Sequence, residues 1–297
     1  MRKVIVAVPG ACGELVQGTL DGVPCLVSCP IDRRAELELT TTPGEGQVTT
    51  PATMPKTRRA LQLALAALGR WDVDVKVERR CGLPEAKGYA SSTADILAAL
   101  FGLGRALGER ISPEWATRLA LRVEPTDSLA WDGLALLAHR DGKLMKPLEP
   151  PPPLCVLALD WGGTVDTLEF NRVDRRAVLR HLAPLHKEAF AMLRAGIASG
   201  DIELIGRAAT LSAQAHQRIL FKPQLEAVVR LAKAVGAAGV CVAHSGTLIG
   251  VLLRPQDATD AAAYIISHLP DVSAYSLHRV IGGGPRYIER EPLCSGG

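Results

Sequence analysis

The sequence predicts an α+β fold in two domains, on three observations. Short alternating apolar runs follow one another with no helix between them, as at Val4, Val6 and Val8 and again at Ala35, Leu37 and Leu39. Residues 92–107 carry Ile96, Leu97, Leu100, Leu103 and Leu107 at helical spacing. Four prolines, Pro150 to Pro153, divide the chain near its midpoint. Neighbouring strands argue against a doubly wound α/β sheet. The chain has 297 residues, and at about 150 per domain this suggests two: residues 1–150 and 151–297, joined by the stiff extended proline run.

The elements read in order as follows. Residues 4–8 form a buried strand, which Pro9-Gly10 should end. Strands at 23–28 and 33–41 precede a polar loop at 43–56 that holds three prolines. A helix at 57–69 places Leu61, Leu65 and Leu68 on one face and ends at Gly69. Residues 73–79 alternate as a strand, and the leucine-lined helix 92–107 follows. Ser112-Pro113 opens another helix, with serine as N-cap and proline in the first turn. Pro125 should end it near Glu124. A strand at 133–138 and the turn Asp141-Gly142 close the first half. The second half reads as a strand at 154–160, then helices at 175–199 (interrupted near Pro184), 201–216 and 223–235. Strands at 239–243 and 248–253, a helix at 256–268 and strands at 273–280 and 286–289 complete it.

Composition narrows the function. The chain is 47% hydrophobic and 22% charged, enough for sizeable cores. A net charge of +3 is no nucleic-acid or membrane footprint, and 4% aromatics is poor provision for stacking bases. No apolar run approaches the ~18 residues of a membrane span. The apolar stretch after the charged start is too short for a signal peptide. The seven cysteines (12, 25, 29, 81, 155, 241 and 294) contain no C-x-x-C pair and read as reduced thiols, several of them in cores. A cytoplasmic protein is expected. His181 and His186, five apart around Pro184, read as surface residues, and Gly282-Gly283-Gly284-Pro285 reads as a loop.

The segment Pro84-Glu85-Ala86-Lys87-Gly88-Tyr89-Ala90-Ser91-Ser92-Thr93 runs from a strand through small residues into the leucine-lined helix. A helix start offers unpaired N–H groups and the positive dipole end, which together attract phosphate. Gly88 and Ala90 allow close approach, Lys87 adds a cation, and Ser91, Ser92 and Thr93 add hydroxyls for a phosphate or a metal ion. The same residues also fit a capping box, with Ser92 as N-cap and Asp95 three residues on. Glu124 and Asp127 lie just past a helix end, where a carboxylate opposes the dipole. Such a broken local rule points to function; a plain polar turn after Pro125 is the other reading.

PEAKGYASSTA resembles the second motif of the GHMP kinases, P-x-x-x-G-L-x-S-S-A, with Tyr89 for leucine and Thr93 for the first alanine. PGACGELVQG (9–18) and VCVAHSGT (240–247) fall where the first and third motifs of that family fall. Together with SCPIDR (28–33) and EPTDS (124–128), these words look like the L-threonine kinase branch, which serves cobalamin assembly.

The resemblance implies a GHMP fold: a ribosomal protein S5 domain 2-like N-terminal domain that binds nucleotide, and a ferredoxin-like C-terminal domain. It implies ATP and Mg2+ as cofactors and L-threonine as substrate, with a homodimer left open. Residues 84–93 would cradle the triphosphate, and Ser92 and Glu124 would hold Mg2+. Asp127 would face the substrate hydroxyl, with Lys87 offsetting charge. Glu14, Gln17, Asp32, His244, Ser245, Gly246 and Thr247 are candidate substrate contacts. The adenine pocket is expected in the N-terminal domain, near the loop after the third strand. The third motif departs from the family, having one glycine, Gly246, in place of a cluster. Another alcohol (homoserine or an isoprenoid precursor) and a non-catalytic metabolite sensor remain the alternatives.

Overall fold

Asp21 and Gly22 take φ angles of 49° and 80°. Those angles suit the two-residue turn that best matches strand twist. They join β1 (Arg2–Leu20) to β2 (Val23–Pro43), from Leu20 opposite Val23 to Arg2 opposite Thr41. The computed structural model describes residues 1–165 and 172–288. Pro9-Gly10 does not end the first strand, and the two predicted strands after it are one. The pairing survives because register shifts at 9–11, 11–14 and 14–16 absorb the proline and let β1 bend.

The rest of the first half follows the predicted order. After the two-residue strand β3 (Val48–Thr49) come α1 (Pro55–Leu68), β4 (Val73–Cys81), α2 (Ser91–Leu107) and α3 (Pro113–Leu121). Gly69 closes α1 in the left-handed conformation, and Ser112 Oγ caps α3 by accepting from Trp115 N at 3.2 Å. α2 packs on β1 and β2 with α1 and α3 beside it, so residues 93–104 are buried all round and not on one stripe alone. The hairpin β5 (Leu134–Leu137) and β6 (Met145–Leu148) ends this half.

The proline run leads into β7 (Leu154–Asp160). Then come α4 (Arg176–Ser199), α5 (Ile202–His216), α6 (Leu225–Ala234), β8 (Gly239–Val242), β9 (Ile249–Leu253), α7 (Ala258–Ser267), β10 (Ala274–Val280) and β11 (Arg286–Ile288). α4 runs uninterrupted through Pro184, contrary to expectation. An interior proline costs about 3 kcal/mol or more. Here Pro184 faces solvent, and Leu182, Ala189, Phe190 and Leu193 bury the opposite face. His186 also departs from expectation. It is buried, and its Nδ1 accepts from Thr19 N at 3.2 Å; His181 is exposed as predicted.

The second-half strands run antiparallel in the order β8-β9-β7-β10, the order of a ferredoxin-like sheet. Single-residue bridges join this sheet to the first: Glu14 opposite Val242, and Val280 opposite Ile31. β11 crosses back to pair with residues 5–7 of β1. Cys12, Cys25, Cys29, Cys155 and Cys241 are free and buried, and Cys81 is free and exposed. Cys294 and residue 289 of the last predicted strand lie outside the described residues. Among the described residues, no helix is long and apolar enough to cross a membrane.

Candidate functional site

The bridge between Glu14 and Val242 lies at the inner end of a cavity of about 550 Å3. One wall is the loop after β4 and the start of α2. The facing wall is Thr53, Met54, Pro55, Lys56 and Thr57, where the loop after β3 enters α1. Glu14, Asp127, His139, His244 and Ser245 close the inner end. The volume falls in the usual range of about 300–1,000 Å3 for small-molecule sites.

The helix start is uncapped by side chains. Its N-cap is Ala90 in the left-handed conformation at φ 56°, and no side chain caps it. Ala94 N makes the first helical bond, to Ala90 O at 2.9 Å, so the N–H groups of Ser91, Ser92 and Thr93 precede the helical ladder. The capping box is not formed. Ser92 Oγ donates to Glu124 Oε1, and Asp95 Oδ2 accepts from Arg79 at 2.5 Å. Left-handed Ala86 and Ala90 store roughly 1–3 kcal/mol each, strain that is typical of ligand loops.

Three successive loop carbonyls are tied from behind. Lys87 O accepts from Thr247 N at 2.8 Å and Leu248 N at 3.1 Å, Gly88 O from Gly13 N at 3.2 Å, and Tyr89 O from Ala11 N at 3.0 Å. The first and third sequence motifs thus brace the second, ahead of the helix start where the N–H groups of residues 91–93 have no helical partner. Contact is too close for side chains. A Cβ on Gly246 would lie 2.2 Å from Lys87 O, and one on Gly88, at φ 109°, would lie 2.3 Å from Ala243 Cβ.

Two acidic residues face this start. Glu124 is buried, taking Ser92 on Oε1 and Lys56 Nζ on Oε2 at 2.5 Å. Asp127 Oδ2 accepts from Thr93 Oγ1 at 2.8 Å. Burial pushes the Asp127 carboxyl up to about 6; the Thr93 hydrogen bond pulls it down and the Glu124 charge pushes it up. Burial and then the Asp127 charge hold Glu14 well above the usual carboxylate range, and Glu14 Oε2 has no hydrogen-bond partner. His139 is buried with neither ring nitrogen bonded, and burial with the nearby Arg140 charge pushes it down to about 3. Its ring meets His244 edge-on at 4.8 Å.

Of the predicted residues, Glu14, Glu85, Ala86, Gly88, Ala90, Ser91, Ser92, Thr93, Glu124, Asp127, His244 and Ser245 line the cleft. The others sit behind or away from it. Lys87 pairs with Asp160 at 2.9 Å, so its charge is already neutralised, and Lys56 is the lysine that pairs with Glu124. Pro84 leads into the loop, and Tyr89 is buried behind it with its hydroxyl 3.4 Å from Ser276 Oγ. Gln17 is consumed by Val242 O and by His244 Nδ1 at 2.6 Å, which orients the histidine. Asp32 is held by Arg279 and His278. Gly246 and Thr247 brace the loop, and Thr247 Oγ1 donates to Asp160. Lys56, Arg79 and His139 escaped the sequence reading. Each is a lone polar residue whose neighbours only tertiary folding supplies.

The description "GHMP kinases N terminal domain" matches residues 56–132, and "GHMP kinases C terminal" matches residues 193–271, on either side of the proline run. The chain is 33% identical over 248 residues to the L-threonine kinase of Salmonella typhimurium, covering 82% of this chain and 81% of that one. It is 32% identical over 253 residues to the L-threonine kinase of Citrobacter freundii, covering 82% and 84%. The fold is similar to a homoserine kinase structure from Cytophaga hutchinsonii, with a TM-score of 0.74 at 17% identity over 97% of this chain and 98% of that chain. Matches in both halves, and a third of residues shared with relatives over four-fifths of their length, establish that the chain belongs to the GHMP kinases and is an ATP-dependent kinase acting on an alcohol.

Proposed function

We propose that this chain transfers the γ-phosphoryl group of ATP to the side-chain hydroxyl of L-threonine, giving O-phospho-L-threonine for cobalamin side-chain synthesis. One observation carries the chemistry. Consecutive hydroxyls at the open start of α2, Ser92 and Thr93, bond the two acidic residues Glu124 and Asp127. Likeness to the two L-threonine kinases supports the choice of alcohol.

Phosphoryl transfer asks a protein for in-line positioning and for cancellation of charge. In this reading, the free N–H groups of 91–93 and the helix dipole take the triphosphate, with residues 84–93 as its cradle. Met54 and Pro55 offer an apolar wall for the adenine, in the region the family resemblance indicates.

Among the described residues, no group of three or more His, Cys, Asp and Glu side chains could hold a metal. Ser92 and Glu124 fit Mg2+ instead, because this ion binds through one or two carboxylates plus phosphates and water. Glu124 also carries Lys56 Nζ on Oε2, so Mg2+ would share that carboxylate with the ammonium or displace it. Bound there, Mg2+ supplies charge neutralisation at the phosphate oxygens. Asp127, held by Thr93, orients the threonine hydroxyl and accepts its proton as the oxygen bonds to phosphorus and ADP leaves. Glu14 would meet the substrate ammonium, whose positive charge would offset the burial that raises its carboxyl.

The two halves, 1–150 and 151–297, are taken as the nucleotide-binding and C-terminal domains. The free thiols fit a cytoplasmic protein, and a homodimer is compatible with the reading. A coupled ATPase assay with L-threonine, L-serine and L-homoserine tests the substrate. L-threonine should have the highest kcat/KM. Preference for homoserine would move the chain to another alcohol, and ATP turnover indifferent to every alcohol would favour a sensor.

A further inference from the structure

His216 ends α5, and Lys222 lies six residues on, before α6. His216 Nε2 meets His244 O at 3.0 Å, and Lys222 Nζ donates to Gly246 O. The partner of His216 is a carbonyl, so its Nε2 carries the proton. Both side chains are buried. The root of the lysine is pinned as well, since Lys222 N donates to Gln217 Oε1 at 2.7 Å and Gln217 Nε2 donates to Lys222 O at 2.9 Å.

Among the described residues, no carboxylate pairs with Lys222. Burying a lone ammonium is expensive, and burial pushes Lys222 down to about 8. A stability role alone would be filled better by an apolar side chain. What the lysine touches accounts for its presence. Gly246 lies against Lys87 and Gly88, and the next two N–H groups, of Thr247 and Leu248, hold Lys87 O. The third motif of this chain has one glycine where the resemblance leads one to expect a cluster. Its shape comes instead from two side chains clamping alternate carbonyls.

We propose that Lys222, with His216, is a positioning latch for the nucleotide: it holds the 244–248 turn in the form that keeps the loop carbonyls turned back and the amides toward the phosphates. The inference rests on the reading of the cleft as a kinase site. It names residues that touch neither substrate nor nucleotide.

The test uses the full chain and the variants Lys222→Met and Lys222→Gln. Calorimetry measures affinity for a non-hydrolysable ATP analogue with Mg2+, steady-state kinetics measure both KM values, and thermal melts measure stability. Lys222→Met should weaken nucleotide binding about tenfold or more and keep the KM for the alcohol, while melting at or above the wild-type temperature because relief from burying an ammonium offsets the lost hydrogen bond. Lys222→Gln keeps a donor and should recover part of the affinity; it also serves if the methionine variant does not fold. Wild-type affinity in both variants would overturn the latch, as would a fall in melting temperature that parallels the loss of affinity. A wild-type protein that binds no nucleotide would overturn the kinase reading instead.

Discussion

Thr93 Oγ1 donates to Asp127 Oδ2 at 2.8 Å and also accepts from Asp127 N at 3.2 Å, so one hydroxyl fixes both the carboxylate and its backbone. The preceding residue, Ser92, holds the Glu124 carboxylate, whose own N–H bonds Ala120 O at 3.0 Å. The proposed metal side and base side of the cleft are therefore set by adjacent residues on one helical turn. A shift of either moves both.

Asp127→Asn removes the proton acceptor and keeps the shape. Turnover should fall on the order of 10²–10⁴-fold if the carboxylate is a general base, with nucleotide affinity and melting temperature held. Single-turnover kinetics, calorimetry and a thermal melt separate these. A near wild-type rate would remove the assignment.

The same carboxyl sets a pH limb. Only ionised Asp127 can accept a proton, and burial raises it to about 6. The kcat/KM should therefore rise with pH through that region and level off above it. A profile of Asp127→Asn should lack this limb. A wild-type profile flat between pH 5 and 7 would contradict the shift, since one titrating group changes the rate about tenfold per pH unit below its pKa.

Glu124→Gln leaves Lys56 without its charged partner and weakens the oxygen pair. A magnesium titration of activity should move to higher concentration, and Ser92→Ala should raise the KM for Mg-ATP more than the KM for the alcohol. An unshifted titration would return residues 124–128 to the plain-turn reading.

Gly246→Ala places a methyl 2.2 Å from Lys87 O. Backbone must move, at a cost of about 1–3 kcal/mol by analogy with overpacking. Stability should drop in a thermal melt and the KM for ATP should rise. An alanine variant that melts and binds like the wild type would show that the two loops do not need this contact.

The legible parts of the molecule were those with local signals. The leucine spacing of α2 and the small residues before it are visible to anyone counting positions, and so is the proline run. Ser112-Pro113 announced a capped helix that formed. Asp21-Gly22 is an equally strong local signal for the hairpin, and Pro9-Gly10 misleads because register shifts let a strand continue past it. Pro184 and His186 misled for the opposite reason. Their outcomes depend on what packs against α4, which nothing in residues 180–190 reveals. Glu124 and Asp127 drew notice as carboxylates at a helix end, but their roles came from resemblance. Lys56, His139 and Lys222 had no local signal. Lys87 did, as a cation beside a glycine, and the fold pairs it with Asp160, far along the chain.

The central claim is that the uncapped start of α2 seats polyphosphate. A crystal structure with Mg2+ and a non-hydrolysable ATP analogue tests it most directly. The β- and γ-phosphates should rest on the amides of Ser91, Ser92 and Thr93, with the metal beside Ser92 and Glu124. A triphosphate bound elsewhere, with that helix start closed by protein, would contradict the account.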